Sequence, residues 1–302
     1  LDIFNAAFAV IVASAISPLI FNFISSKIAR GGVGNGDDAA KFADPEKERT
    51  LTVKIIWCGC IVLVVAIFAM MFIKANLSGA EDAAGKAVWG FKAKIISMEG
   101  NLPVEYLADE TKNYSHRDYP PGWATFLSFL SFCAGRYDDA LLNNANVFIS
   151  LLVFISIVEI LRKSSLSANF ALIMGLILCV NCYFLFCSTV PYAEPLLILC
   201  VLWAVYFGME YLKSGNDLDL LFNSLFFAFC ALIKNEGILL CGLNIFMMVL
   251  VLSIKSREEK GFKKLDILRM FFVLVLPLLF AVLPWLALKW AVGIKSYDFS
   301  FS

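Results

Sequence analysis

Along the 302 residues, long apolar runs alternate with short charged connectors. Runs 3–26, 55–73, 140–158, 164–193, 237–254 and 270–288 contain no charged side chain. Each reaches the ~18–20 residues needed for a helix to cross a hydrocarbon core roughly 30 Å thick. Run 164–193 has room for a helix and a loop. Two shorter runs, 195–209 and 220–233, reach that length if Lys213 and Lys234 snorkel to the interface. The pattern predicts an all-α polytopic membrane protein with about eight transmembrane helices. It also predicts a large extracytoplasmic loop at 75–135, carrying juxtamembrane helices that lie on the membrane surface.

The distribution of basic residues gives the orientation. Segment 120–135 is uncharged and fairly apolar, but two prolines and a glycine open it and it is short for a span. If it does not cross, most of the 25 Lys and Arg residues fall on one face, as expected for a cytoplasmic side. If it crosses, the balance inverts. We therefore expect a surface or re-entrant helix there. The loop at 75–135, the connector Ser188–Pro195 and the string Lys234-Asn235-Glu236-Gly237 then share the extracytoplasmic face. The opposite face receives basic, featureless loops.

Composition supports the membrane reading: 60% of residues are hydrophobic and the mean hydropathy is +0.79. The net charge is zero, so charge makes no case for nucleic acid. The nine cysteines sit mostly within apolar runs, and the CxxC spacing of Cys179 and Cys182 has no polar context. The glycine-rich string in the 27–54 connector precedes Asp37 and Asp38 and follows no strand, which fits a linker better than a phosphate loop. We expect the chain to be a fragment: a single domain over 1–302 with further membrane helices beyond one or both ends. Lysine-, isoleucine- and phenylalanine-rich usage is compatible with a bacterial inner membrane.

The candidate chemistry lies on the loop side. Asp82, with Glu81 beside it, follows the second apolar run and precedes Lys86, Trp89 and Lys92 in a helical pattern. A helix ion pair with Lys86 accounts for Asp82 without function. A base or cation ligand at the membrane boundary is the alternative. His116, Arg117, Asp118 and Tyr119 precede Pro120-Pro121, which holds them on a stiff backbone. Either they are solvated charges at a helix start, or Arg117 binds phosphate. His116 has no second His or Cys nearby, so zinc is not expected. Tyr192 and Glu194 stand where the run at 195–209 opens, and Lys234 and Glu236 where the run at 237–254 begins, one hairpin later.

Taken together, E-D-A-x-x-x-A-V-W-x-x-K-A-K at 81–94, H-x-D-Y-P-P-G at 116–122, Y-A-E-P at 192–195 and K-N-E-G at 234–237 resemble the GT-C-type glycosyltransferases. These enzymes use polyprenyl-phosphate sugars, as the protein O-mannosyltransferases and the aminoarabinose transferases of lipid A do. The resemblance covers about 51–254. It implies that Asp82 is the essential acid of the first outer loop, with Glu194 as a second acid. Lys234 would face the lipid phosphate. The tryptophan that usually follows the acid is replaced by Ala84-Gly85.

The expected function is transfer of a sugar from a polyprenyl-phosphate carrier to a glycan, lipid or protein acceptor. Asp82 and Glu194 would be catalytic. Glu81, Lys86, Lys92, His116, Arg117, Asp118, Tyr119, Tyr192, Lys234 and Glu236 would bind substrate. No metal site is expected. The departing phosphate leaves without protonation, so the chemistry needs no metal, although a divalent cation bridging Asp82 and Glu194 stays open. A membrane transporter of a lipid-linked or small solute is the alternative. Nothing specific speaks for an assembly subunit.

Overall fold

The computed structural model describes residues 51–77, 85–258 and 264–294. The expected span at 3–26, most of the following linker, and both Glu81 and Asp82 lie outside the described residues. Inside them every regular element is a helix. They are α1 (Leu51–Leu77), α2 (Phe91–Glu99), α3 (Val104–Ala108), α4 (Gly122–Cys133), α5 (Asp139–Lys163), α6 (Ala168–Cys179) and α7 (Cys182–Ser188). The chain continues as α8 (Glu194–Ser214), α9 (Asp217–Ile233), α10 (Asn235–Glu258) and α11 (Lys264–Val292). A π-helical turn, Gly85–Gly90, runs into α2, and a 3-10 turn, Glu110–Ser115, follows α3.

Four stretches are long and apolar enough to cross a membrane: Trp57–Leu77 of α1, α5, α8 and Leu268–Val292 of α11. The α6–α7 pair makes a fifth if counted as one span. The described residues are thus all helical, with four or five helices long and apolar enough to cross a membrane where eight were expected over the chain. Helix α4 and the apolar part of α10, Asn235–Val251, are shorter.

Run 164–193 is not one helix and a loop but two helices bent by 72°. Asn181 makes the break. Its side chain accepts from the amides of Tyr183 and Phe184, capping α7 and competing with continuation of α6. Hydropathy cannot register such a break, because one asparagine barely changes a window average.

Helix α9 lies at the centre of one half, packed on α8, α10 and α11, while α5 packs on α1, α6 and α8 in the other. Asparagines within the apolar runs tie these helices. Asn143 donates to the Ala75 carbonyl at 3.2 Å, and Asn223 and Asn244 exchange amide bonds between α9 and α10. In a low-dielectric interior such polar groups must be paired, so they fix register. Trp89 and Trp123 are wholly buried in the core at the loop end.

Two glycines are required by close approach. Any Cβ on Gly122 would stand 2.5 Å from the Leu232 carbonyl, so only glycine lets α4 meet the end of α9. A Cβ on Gly237 would overlap the Cys230 carbonyl in the tight α9–α10 turn. Gly237→Ala should therefore destabilise the protein by ~1–3 kcal/mol. Thermal denaturation in lipid checks this, and an unchanged transition would contradict the packing described.

Candidate functional site

Three segments distant in sequence meet at one end of the bundle: the loop 85–122, the connector between α7 and α8, and the α9–α10 turn. The connector is held first. Asn146 of α5 donates to the carbonyls of Cys187, Val190 and Tyr192, and Ser150 donates to Ser188 at 2.7 Å. Trp123 at the start of α4 donates from its indole nitrogen to the Pro191 carbonyl at 3.0 Å, joining loop to connector. This framework delivers Glu194 to the first turn of α8, with Pro195 in the position that begins a helix well.

The turn supplies the cation. Lys234 Nζ lies 3.0 Å from Glu194 Oε1 and 3.0 Å from Glu236 Oε1. The Lys234 and Glu194 side chains are 9% and 6% exposed, whereas Glu236 is 38% exposed and opens the cluster on one side. Burial alone would lower the Lys234 pKa, but the carboxylates of Glu194 and Glu236 outweigh it and the net shift is upward.

Asp118, Lys92 and Tyr119 bring in the loop. Asn235 donates to Asp118 Oδ2 at 3.3 Å, and Lys289 of α11 donates to the Asp118 carbonyl at 3.3 Å. Lys92 is buried to 1% exposure, and its ammonium donates to the His116 carbonyl. His116 has a left-handed backbone, φ 47°, which turns the chain at the end of the 3-10 turn. Tyr119 lies against Trp89 and against His116, with ring centroids 5.6 and 4.8 Å away. Lys92 and Lys234 both place their nitrogens 5.8 Å from the Tyr119 ring centre, so one aromatic ring contacts both cations.

Burial pushes the Lys92 pKa down from 10.5 to about 7; Asp118 opposes this and Lys289 adds to it. The sign of the pH dependence follows. Between about pH 7 and about pH 10 the unfolded chain binds the Lys92 proton and the folded chain does not, so stability rises with pH. Below that window the cost of a buried ammonium is fully present. Lys92→Met should flatten this rise, as read by thermal denaturation across the window. Equal slopes in the two proteins would contradict it.

The other expected residues are placed as follows. Arg117 spends its guanidinium within the loop, on the Asn113 side chain and the Leu107 carbonyl, so it braces the fold of the loop. Tyr192 contributes its carbonyl to Asn146, with its ring 5.6 Å from Phe186. Lys86 is exposed in the π-helical turn. Glu81 and Asp82 lie outside the described residues, so the cation bridge between Asp82 and Glu194 does too. Among the described residues no group of three or more His, Cys, Asp or Glu is placed to hold a metal ion.

Sequence reasoning missed Asn146, Trp123, Asn235 and Lys289. Lys289, a lone cation near the end of an apolar run, carried a signal. So did Asn146, a polar residue within one. Comparison with family models, with curated proteins and with solved structures found no match to this chain.

Proposed function

We propose that the chain is a multi-pass integral-membrane glycosyltransferase. It moves a sugar from a polyprenyl-phosphate carrier to a glycan, lipid or protein acceptor at the extracytoplasmic face, in a bacterial plasma membrane. The observation that carries the proposal is the buried Glu194–Lys234–Glu236 cluster, roofed by Tyr119 and bordered by Asp118 and Lys92. It combines an acid that can take a proton with cations that can hold a phosphate, at a membrane boundary where water is partly excluded.

In this mechanism the acceptor hydroxyl attacks the anomeric carbon and the lipid phosphate departs. Asp82 takes the hydroxyl proton or orients the acceptor, with Glu194 cooperating. Lys234 and the neighbouring Lys92 offset the charge developing on the phosphate. Each of these groups is drawn from the loop, connector or turn.

The α6–α7 bend favours the rival, a transporter, because broken helices are a feature of transport sites. The charges described above gather at one end of the bundle, contributed by the loop, the connector and the α9–α10 turn, which favours transfer. Substituting acids at both ends separates the two. Under transfer, Glu194→Gln lowers turnover by ~10²–10⁴-fold, while Glu210→Gln and Glu159→Gln at the opposite end leave it within about twofold. Comparable losses at both ends in a vesicle uptake assay would favour transport.

A further inference from the structure

Buried polar side-chain atoms in folded proteins are almost all hydrogen-bonded, and the exceptions point to a missing ligand or water. Among the described residues, buried atoms without a partner include His116 Nδ1, Glu194 Oε2 and Glu236 Oε2. All three belong to the cluster around Tyr119 and Lys234. Glu194 is only 5% exposed, and its Oε1 is already committed to Lys234. The free oxygens of both glutamates therefore mark a place prepared for a group that the described residues do not provide.

Their chemistry restricts that group. An ionised carboxylate oxygen accepts hydrogen bonds and does not donate them, so a hydrogen-bonding ligand must donate to both. An anion is repelled by two carboxylates. A second ammonium would sit within a few ångströms of Lys234, which already serves both acids. A neutral donor pair remains. Because Glu194 Oε1 and Glu236 Oε1 each lie 3.0 Å from one nitrogen, those two atoms are no more than about 6 Å apart, which brings both carboxylates within reach of one small ligand. Hydroxyls on adjacent carbons of a sugar ring satisfy this spacing and charge.

We propose that Glu194 and Glu236 together take a pair of neighbouring ring hydroxyls. Glu236, on the open side of the cluster, determines which sugar is accepted. His116 Nδ1 stands ready for a third contact. That the ligand is a sugar rests on the glycosyl-transfer proposal; that it is a neutral double donor rests on the cluster alone.

The test is saturation-transfer NMR on the full chain in nanodiscs, with methyl mannoside, methyl glucoside and methyl galactoside as probes, together with their monodeoxy forms. We expect transfer to ring protons of at least one glycoside, falling at least fivefold in Glu236→Ala and Glu236→Gln. It should also fall when either hydroxyl of one adjacent pair is removed from the sugar. The glutamine variant keeps the side-chain size and guards against misfolding, which an unchanged thermal transition verifies. No transfer from the wild type, or equal transfer in a folded Glu236→Gln, would overturn the proposal. Transfer that depends on Glu236, with no lipid phosphate released from any polyprenyl-phosphate sugar, would uphold this site and overturn glycosyl transfer.

Discussion

Lys234→Ala is expected to lower the stability of the protein by ~3–5 kcal/mol, the range seen when one partner of a buried ion pair is removed. Glu194 would remain 5% exposed without its Lys234 partner, next to Glu236. It would have to take up a proton or drag water into the end of the bundle. For a chain of this size the apparent Tm should fall by roughly 10 °C. Replacing both partners, as Lys234→Met with Glu194→Leu, should recover most of the loss, because two apolar side chains of similar volume need no compensation. If Lys234→Ala melts with the wild type, the pair is not buried as described. If the double variant is no better than the single, stability comes from the turn geometry and not from the charges.

Glu194→Gln carries the second large effect, on turnover. The amide keeps the size of the side chain and one acceptor, and Lys234 keeps Glu236 as a partner. Stability should change far less than in Lys234→Ala. A group that assists proton transfer typically contributes ~10²–10⁴-fold in rate, and we expect a loss in that range. Gln at this position cannot accept a proton, so raising the pH should not rescue it. A variant that folds and turns over at the wild-type rate would reduce Glu194 to a structural counter-ion for Lys234.

How much of this was legible in the sequence depends on the physics behind each element. The apolar runs at 55–73, 140–158 and 270–288 forecast α1, α5 and α11, because span length and hydropathy are averages over many residues. The convergence of loop, connector and turn also followed, since each hairpin alternates ends. The break at Asn181 was not legible, because a side-chain cap is one local contact in an apolar sequence. Lys92, Asp118 and Lys234 were candidates from residue type alone. That they meet around Tyr119, while Arg117 turns back into the loop, depends on packing. In the sequence the glycine after Pro-Pro marks only the opening of a short segment, and the glycine of Lys-Asn-Glu-Gly carries no signal of its own. In the fold they are contact points at which backbone meets backbone.

The measurement that bears most directly on glycosyl transfer is release of lipid phosphate by the purified full chain in lipid, given a panel of radiolabelled polyprenyl-phosphate sugars. It compares the wild type with Asp82→Asn and Glu194→Gln. We predict that the wild type releases lipid phosphate from at least one member of the panel in step with sugar appearing on an acceptor. Both variants, folded to the same thermal transition, should fail to do so. Release that is equal in the wild type and both variants would contradict the account and remove the loop end of the bundle as the place where the chemistry occurs.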